Sequence, residues 1–256
     1  MQTVILAGGL GTRLSEETSV RPKPMVEIGD RPILHHIMEL YDGYGMREFV
    51  VALGYLGHMI KRYFVDWSTL SGDLTIDARG ALVDRHAPVD RDWKLALVET
   101  GAGTETGGRL KRLAPHLRRE TFMLTYGDGL SDVDLNALLA AHRRHGKLAT
   151  LTAVHPPARF GELDLVEDRV ARFQEKPQVR EGWINGGFMV FEPDVLDRIE
   201  GDHTVLERDL LTSLSAEGQL FVHRHAGFWQ CMDTLRDVRT LTALWESGSP
   251  PWRRRS

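Results

Sequence analysis

Short apolar runs alternate with longer amphipathic segments along most of the chain. The runs are continuous and rich in β-branched residues, which is typical of strands buried on both faces of a parallel sheet. Segments with helical apolar spacing follow several of them. We predict strands at 3–7, 49–53, 93–98, 122–126, 148–154 and 219–224, and helices at 33–41, 59–64, 110–113, 133–145, 193–199, 204–216 and 235–245.

Strands that alternate with helices predict an α/β fold with right-handed crossovers. Residues 162–191 predict three further strands that add antiparallel pairs, so we expect a doubly wound mixed sheet that is mostly parallel. Residues 65–92 are polar and carry no strong helical pattern, which predicts an irregular excursion from the sheet. A length of 256 residues fits a single domain over 1–256.

Composition and charge exclude several classes of function. The formal net charge is −4, from 32 basic and 36 acidic residues, whereas a general nucleic-acid binder has a basic surface. The one cysteine, Cys231, allows neither an intrachain disulfide nor a cysteine-based zinc site. No apolar stretch approaches the roughly 18–20 residues of a membrane helix, and the N-terminus lacks a secretory signal. We therefore expect a cytoplasmic protein without a membrane or nucleic-acid partner.

A glycine-rich segment, LAGGLGTR at 6–13, directly follows the first predicted strand. Glycines at such a point let backbone N–H groups approach a phosphate. Gly9 and Gly11 fit the start of a dinucleotide-binding fingerprint, but Leu14 stands at its third glycine, and the lysine of a P-loop is absent. The segment is thus a phosphate loop of another kind or, as the alternative, a tight turn.

Ten residues further on, Lys23 stands between Pro22 and Pro24. Prolines restrict their own φ and the conformation of the preceding residue. We therefore expect Lys23 on a stiff, extended segment, as a solvent-facing cation placed for a function.

These two segments, with YGDG at 126–129, FQEKP at 173–177, GWINGGF at 182–188 and GFWQCMDTLRD at 227–237, resemble the sugar-1-phosphate nucleotidyltransferases over essentially the whole chain. The resemblance implies a Rossmann-like catalytic domain and Mg²⁺-dependent transfer of a nucleotidyl group to a sugar 1-phosphate. The longest shared segments imply CTP and glucose 1-phosphate as substrates, and a homo-oligomer, by resemblance a hexamer. The match is poor over 66–92.

The resemblance also implies roles for individual residues. It implies that Arg13, Lys23 and Asp128 are catalytic. It also implies that Asp128 and Asp233 hold the metal and that Glu175, Lys176, Asn185 and Gly187 bind the sugar phosphate. The implied nucleotide-binding residues are Leu6, Ala7, Gly8, Gly9, Leu10, Gly11, Thr12, Arg13, Lys23, Thr104 and Arg109, the last two of them at the base.

The chemistry agrees with these roles. A sugar 1-phosphate is largely dianionic at neutral pH, so it is already a nucleophile and needs no general base. The reaction requires in-line positioning and cancellation of charge between two anionic phosphates. Mg²⁺ keeps several waters, so one or two carboxylates suffice to bind it.

Structural alternatives remain for the main site residues. Asp128 could be a turn residue, Asp233 a helix cap, and Arg109 a cap of a helix over 109–116 or a phosphate ligand. His142 and His145 fit a solvated helix face, and Cys231 fits a buried structural thiol.

Alternatives also remain for the function. The chain could use another sugar 1-phosphate, or UTP or dTTP, or it could be a non-catalytic relative that binds nucleotide sugars. A Rossmann oxidoreductase is disfavoured by Leu14 and by the Pro-Lys-Pro segment.

Overall fold

The computed structural model describes residues 1–77, 79, 82–85, 91–157, 162–166, 169–174 and 182–254, of which 82–85, 162–166 and 170–174 are described through their backbone alone. The strands are β1 (Gln2–Leu6), β2 (Glu27–Ile28), β3 (Arg31–Pro32), β4 (Glu48–Leu53), β5 (Leu74–Asp77), β6 (Leu82–Arg85), β7 (Lys94–Glu99), β8 (Phe122–Tyr126), β9 (Gly129–Ser131), β10 (Ala149–Val154), β11 (Glu162–Val166), β12 (Arg169–Gln174), β13 (Ile184–Asn185), β14 (Met189–Phe191), β15 (Leu220–His225) and β16 (Trp229–Cys231). The α-helices are α1 (Ser15–Thr18), α2 (Ile33–Asp42), α3 (Gly57–Leu70), α4 (Thr106–Leu113), α5 (Leu135–His145), α6 (Thr212–Ala216) and α7 (Leu235–Glu246).

An eight-stranded mixed sheet forms the centre of the molecule, in the order β13–β10–β14–β8–β1–β4–β7, with β15 beside β10. Strand β1 is parallel to β4 and β8, β4 is parallel to β7, and β10 is parallel to β15. Strand β14 is antiparallel to both β8 and β10. The predicted α/β fold with a mixed, mostly parallel sheet is confirmed.

Helices cover both faces of this sheet because its strands are apolar on both faces. In β1, Ile5 faces a core that includes residues of α2, α3, α5 and α7. Its neighbour Val4 faces a second core that includes residues of α4 and α6. Both side chains are fully buried, each worth about 1.5–3 kcal/mol relative to exposure. Burial on alternate faces explains why the strands appear in the sequence as continuous apolar runs.

The structure differs from the predicted elements in several places, and the described part of residues 162–191 holds four strands, β11 to β14, rather than the predicted three. Helix α3 continues to Leu70, so the prediction that residues 65–92 carry no strong helix is wrong for its first part. Ile60 and Phe64 are buried on the inner face of α3, whereas its outward face carries polar residues together with the exposed Val65 and Leu70. Further along the same segment, β5 pairs antiparallel with β6.

The helices predicted at 193–199 and 204–216 have other geometries. The first is a 3₁₀ helix, Pro193–Arg198. The second begins as a π-helical turn, Leu206–Leu211, and continues as the short helix α6. Apolar spacing alone does not separate these geometries because they differ by about one residue in hydrogen-bond span. Within the described part of the chain, no helix is both long and apolar enough to cross a membrane.

Candidate active site

The glycine-rich loop leaves the sheet at the carboxyl end of β1. Gly11 has a φ of 64°, and it starts a 3₁₀ turn, Thr12–Leu14. Gly8 packs against the guanidinium of Arg109, so that a Cβ atom at Gly8 would lie 2.3 Å from Arg109 Nη1. Any larger residue at position 8 would therefore have to displace the Arg109 guanidinium.

Lys23 lies in a 3₁₀ turn, Lys23–Met25, that follows the extended Pro22. Its side chain is only 11% exposed, so the expectation of a solvent-facing cation on an extended segment is wrong. The ammonium Nζ donates to Asp128 Oδ2 and to Asp233 Oδ1, each at 2.6 Å. Burial alone would lower the pKa of Lys23, but the charges and hydrogen bonds of Asp128 and Asp233 outweigh burial and raise this pKa.

Two short strands bring the carboxylates together. Asp128 lies between β8 and β9, and Asp233 follows β16. Strands β9 and β16 pair antiparallel, with Cys231 opposite Gly129, and the N–H of Met232 donates to the Asp128 carbonyl at 2.8 Å. This pairing places Asp128 and Asp233 on one ammonium although they are far apart in the sequence.

Asp233 is not a helix cap. Thr234 occupies the N-cap position of α7 and forms a capping box with Asp237. The Asp233 side chain instead accepts hydrogen bonds from Lys23 and, at 2.6 Å, from Arg13 Nη1. Burial on its own would raise the pKa of Asp233, but the hydrogen bond and charge of Lys23 hold it below its usual value. The helix-cap alternative is therefore excluded.

Cys231 is half-buried next to this pair, and its Sγ lies 3.7 Å from Asp233 Oδ2. Burial and then the charge of Asp233 raise the pKa of the Cys231 thiol to about 12. The thiol is thus protonated at neutral pH, in agreement with the predicted structural thiol.

A cavity of about 350 Å³ lies over the loop and Asp128, whereas Asp233 is not among its lining residues. All but one of the predicted nucleotide-binding residues line it; the exception, Leu10, has a side chain that is 56% exposed. Asp128 also lines the cavity. The remaining lining residues, which the sequence did not suggest as site residues, are Pro24, Glu105, Thr106, Tyr126 and Gly127.

Arg109 lies inside α4, which begins at Thr106, so the proposed role as a cap of a helix at 109–116 is excluded. Its Nη1 donates to the Leu53 carbonyl, the Thr100 hydroxyl and the Gly101 carbonyl at 3.2, 2.8 and 2.7 Å. Burial lowers the pKa of Arg109. The contacts hold one edge of the guanidinium rigidly at the wall of the cavity.

The predicted sugar-phosphate residues are described only in part. Glu175 and Lys176 lie outside the described residues. Asn185 Nδ2 donates to the Tyr126 hydroxyl at 3.3 Å, and Asn185 Oδ1 accepts from the N–H of Gly187 at 3.0 Å. Neither Asn185 nor Gly187 lines the cavity; Asn185 contacts Tyr126, which does.

Asp128 and Asp233 fit a divalent cation. One oxygen of each lies 2.6 Å from the same Nζ, so the two carboxylates converge on one position of positive charge. Hard oxygen ligands of this kind suit Mg²⁺, which needs few protein ligands when phosphates supply others. Among the described residues there is no group of three or more metal-ligating side chains.

A glycine loop and converging charges at the carboxyl edge of a parallel sheet are typical of α/β enzymes that act on phosphate compounds. Sequence comparison shows which of these enzymes the chain resembles. It belongs to the nucleotidyl transferase family, whose model matches residues 2–248. The predicted resemblance is confirmed, and the protein is a nucleotidyltransferase.

The chain is similar to curated relatives over its full length. It is 49% identical to glucose-1-phosphate cytidylyltransferase of Salmonella typhi, over 99% of both chains. It is 40% identical to a probable glucose-1-phosphate cytidylyltransferase of Bacillus subtilis, again over 99% of both. Among solved structures, HddC from Yersinia pseudotuberculosis matches with a TM-score of 0.71 at 22% identity, covering 95% of this chain and 99% of that one. These levels of similarity support both the family and the fold.

Proposed function

We propose that the protein transfers a cytidylyl group from CTP to α-D-glucose 1-phosphate, forming CDP-glucose and pyrophosphate. The observation that carries this proposal is the 49% identity with the Salmonella typhi cytidylyltransferase over nearly the whole of both chains. The charges at the cavity are those that the reaction requires.

The reaction joins two anions, so the protein must neutralise charge and align the reactants. An oxygen of the sugar phosphate attacks the α-phosphorus of CTP, and the bond from this phosphorus to the bridging oxygen of the β-phosphate breaks. Pyrophosphate leaves with that electron pair. Because the attacking phosphate is already dianionic, no side chain has to remove a proton.

Different hydrogen-bond donors and cationic side chains at the cavity suit different phosphates of CTP. The backbone N–H groups of Gly8 to Thr12 and the exposed Arg13 suit the β- and γ-phosphates of the leaving group. Lys23 suits the α-phosphate, since its flexible side chain lets the ammonium reach from the carboxylates to a phosphate oxygen. Charge that develops on the α-phosphate in the transition state is then stabilised.

Asp128 and Asp233 would hold Mg²⁺. When bound there, the ion screens the phosphate charges and acts as a Lewis acid toward the α-phosphate. The sugar phosphate would be bound by Asn185 and Gly187, together with Glu175 and Lys176.

Thr104 and Arg109 are proposed to face the base. Cytosine presents acceptors at O2 and N3, and arginine is a pure donor, whereas the N3–H of uracil would face another donor. Thr104 is buried at the cavity wall and can both donate and accept. This arrangement favours CTP over UTP.

The proposal is tested by incubating the protein with Mg²⁺, each nucleoside triphosphate in turn and several sugar 1-phosphates, while pyrophosphate release is measured. Mass spectrometry identifies the product. We expect turnover with CTP and glucose 1-phosphate above all other pairs. Preferred use of UTP, dTTP or another sugar phosphate would replace this substrate assignment, and no turnover with any pair would favour the non-catalytic alternative. Light scattering on the purified protein tests the proposed homo-oligomer.

A further inference from the structure

Glu207 lies in the π-helical turn Leu206–Leu211, outside every segment that carries the family resemblance. Its half-buried carboxylate is held from two sides. Thr106 Oγ1 donates to Oε2 at 3.0 Å, and the Tyr126 hydroxyl donates to Oε1. Thr106 and Tyr126 both line the cavity, so one carboxylate joins two of its walls.

The first wall is the start of α4. Thr106 is the first residue of this helix, which also carries Arg109. The Thr106 hydroxyl accepts a hydrogen bond from the N–H of Leu206 at 2.9 Å while it donates to Glu207. The π-helical turn therefore sets the position of the helix end beside Thr104 and Arg109.

The second wall is the end of β8. Tyr126 directly precedes Gly127 and Asp128, and its hydroxyl accepts a hydrogen bond from Asn185 Nδ2 at 3.3 Å. The phenol donates its hydrogen to Glu207, and its oxygen accepts from the amide of Asn185, so one hydroxyl orients both groups.

We propose that Glu207 is a positioning residue that holds both sides of the cavity in place: the nucleotide side through Thr106, and the sugar-phosphate side through Tyr126 and Asn185. Glu207 does not itself line the cavity, so it acts through these hydroxyl groups. The substrates assigned to the two sides depend on the proposed function. The link between the sides depends only on the hydrogen bonds of Glu207 with Thr106 and Tyr126.

Four variants test the two arms of this link in steady-state kinetics: the hydrogen bond from Thr106 to Glu207, called the nucleotide arm, and the hydrogen bond from Tyr126 to Glu207, called the sugar-phosphate arm. Thr106→Val breaks the nucleotide arm, and we expect the KM for CTP to rise about tenfold, which corresponds to about 1.4 kcal/mol, with little change in the KM for glucose 1-phosphate. Tyr126→Phe breaks the other arm, and we expect the reverse pattern. Glu207→Ala removes both acceptors and raises both KM values. Glu207→Gln keeps one acceptor oxygen and raises them less.

Glu192 offers a matched control. Its carboxylate also accepts hydrogen bonds from a hydroxyl and from a ring, those of Thr121 and His142. It follows Phe191, which pairs with Phe122. Phe122 and Tyr126 stand at opposite ends of β8, roughly 13 Å apart at about 3.3 Å per residue. We expect Glu192→Ala to lower the melting temperature and leave both KM values unchanged.

The inference is wrong if Glu207→Ala behaves like Glu192→Ala, with a lower melting temperature and unchanged KM values. It is also wrong if Thr106→Val and Tyr126→Phe affect both substrates equally. If the wild type uses another substrate pair, the proposed function fails on its own, and the same pattern is sought with that pair. If it turns over none, dissociation constants of nucleotides and sugar phosphates, measured by calorimetry, replace the KM values and decide in the same way.

Discussion

Replacing Lys23 by methionine removes the ammonium that lies between two carboxylates and keeps a similar side-chain length. In the wild type both N–O distances are 2.6 Å. The side chains of Lys23 and Asp233 are 11% and 12% exposed, so this pair is largely removed from water. The substitution leaves Asp128 and Asp233 facing each other without their shared cation.

Breaking a buried ion pair costs about 3–5 kcal/mol because an uncompensated charge stays buried. Asp128 is 30% exposed, and the exposed Arg13 still contacts Asp233, so the lower end of this range applies. We therefore expect Lys23→Met to lower the free energy of unfolding by about 3 kcal/mol at pH 7. Lys61→Met is a matched control, because Lys61 Nζ lies 2.6 Å from Glu99 but both side chains are exposed, at 42% and 54%. Its expected cost is under about 1 kcal/mol.

The difference in stability between wild type and Lys23→Met depends on pH in a defined direction. Lys23 holds the pKa of Asp233 below its usual 3.8, so the stabilisation is present above that value and is lost as pH falls through the lower folded pKa. The pKa of Lys23 is raised, so its contribution is present below 10.5 and is lost as pH rises through the folded value. The difference should be largest between these limits and shrink in acid.

Urea unfolding of the wild type, Lys23→Met and Lys61→Met, at pH 7 and in acid with EDTA present, measures the free energy of unfolding of each protein. Turnover of Lys23→Met should fall by about 100-fold or more in kcat/KM, equivalent to about 2.7 kcal/mol of transition-state stabilisation. A Lys23→Met protein as stable as Lys61→Met at pH 7 would refute the energetic argument. Wild-type turnover would refute the placement of Lys23 at the α-phosphate.

Two further predictions concern the metal and the base. Asp128→Asn and Asp233→Asn should each weaken Mn²⁺ binding and Mg²⁺-dependent turnover, and the double variant should cost less than the sum of the two; strict additivity, or turnover that survives EDTA, would contradict a shared ion. The wild type should prefer CTP over UTP by at least about tenfold, from a bidentate base contact worth about 1–3 kcal/mol. Arg109→Ala should lose most of this preference, whereas an equal loss for both nucleotides would show that Arg109 does not read the base.

Local features of the sequence were sufficient to predict the sheet and the loop. The runs ending at Leu6 and Tyr126 are apolar on both faces because both faces are covered, and such runs have few alternatives to a buried parallel strand. The ligand-binding edge of an open α/β sheet lies at the carboxyl ends of its strands. The positions of the glycine loop and of Asp128 at this edge follow from the strands that precede them. The family was indicated separately, by the resemblance of the sequence motifs, and the family model confirms it.

Tertiary structure alone decided the environment of each charged group. Whether Lys23 is exposed or buried depends on Asp128 and Asp233, which lie 105 and 210 residues away and meet only when β9 pairs with β16. His142 shows the same limit. It was predicted on a solvated helix face, but it is buried, with Nδ1 against Thr150 and Nε2 against Glu192. Glu207 carries no motif at all, and its importance arises from two hydroxyl groups on distant segments. Burial of a polar side chain depends on partners that satisfy it, and those partners are brought together by the packing of the whole chain.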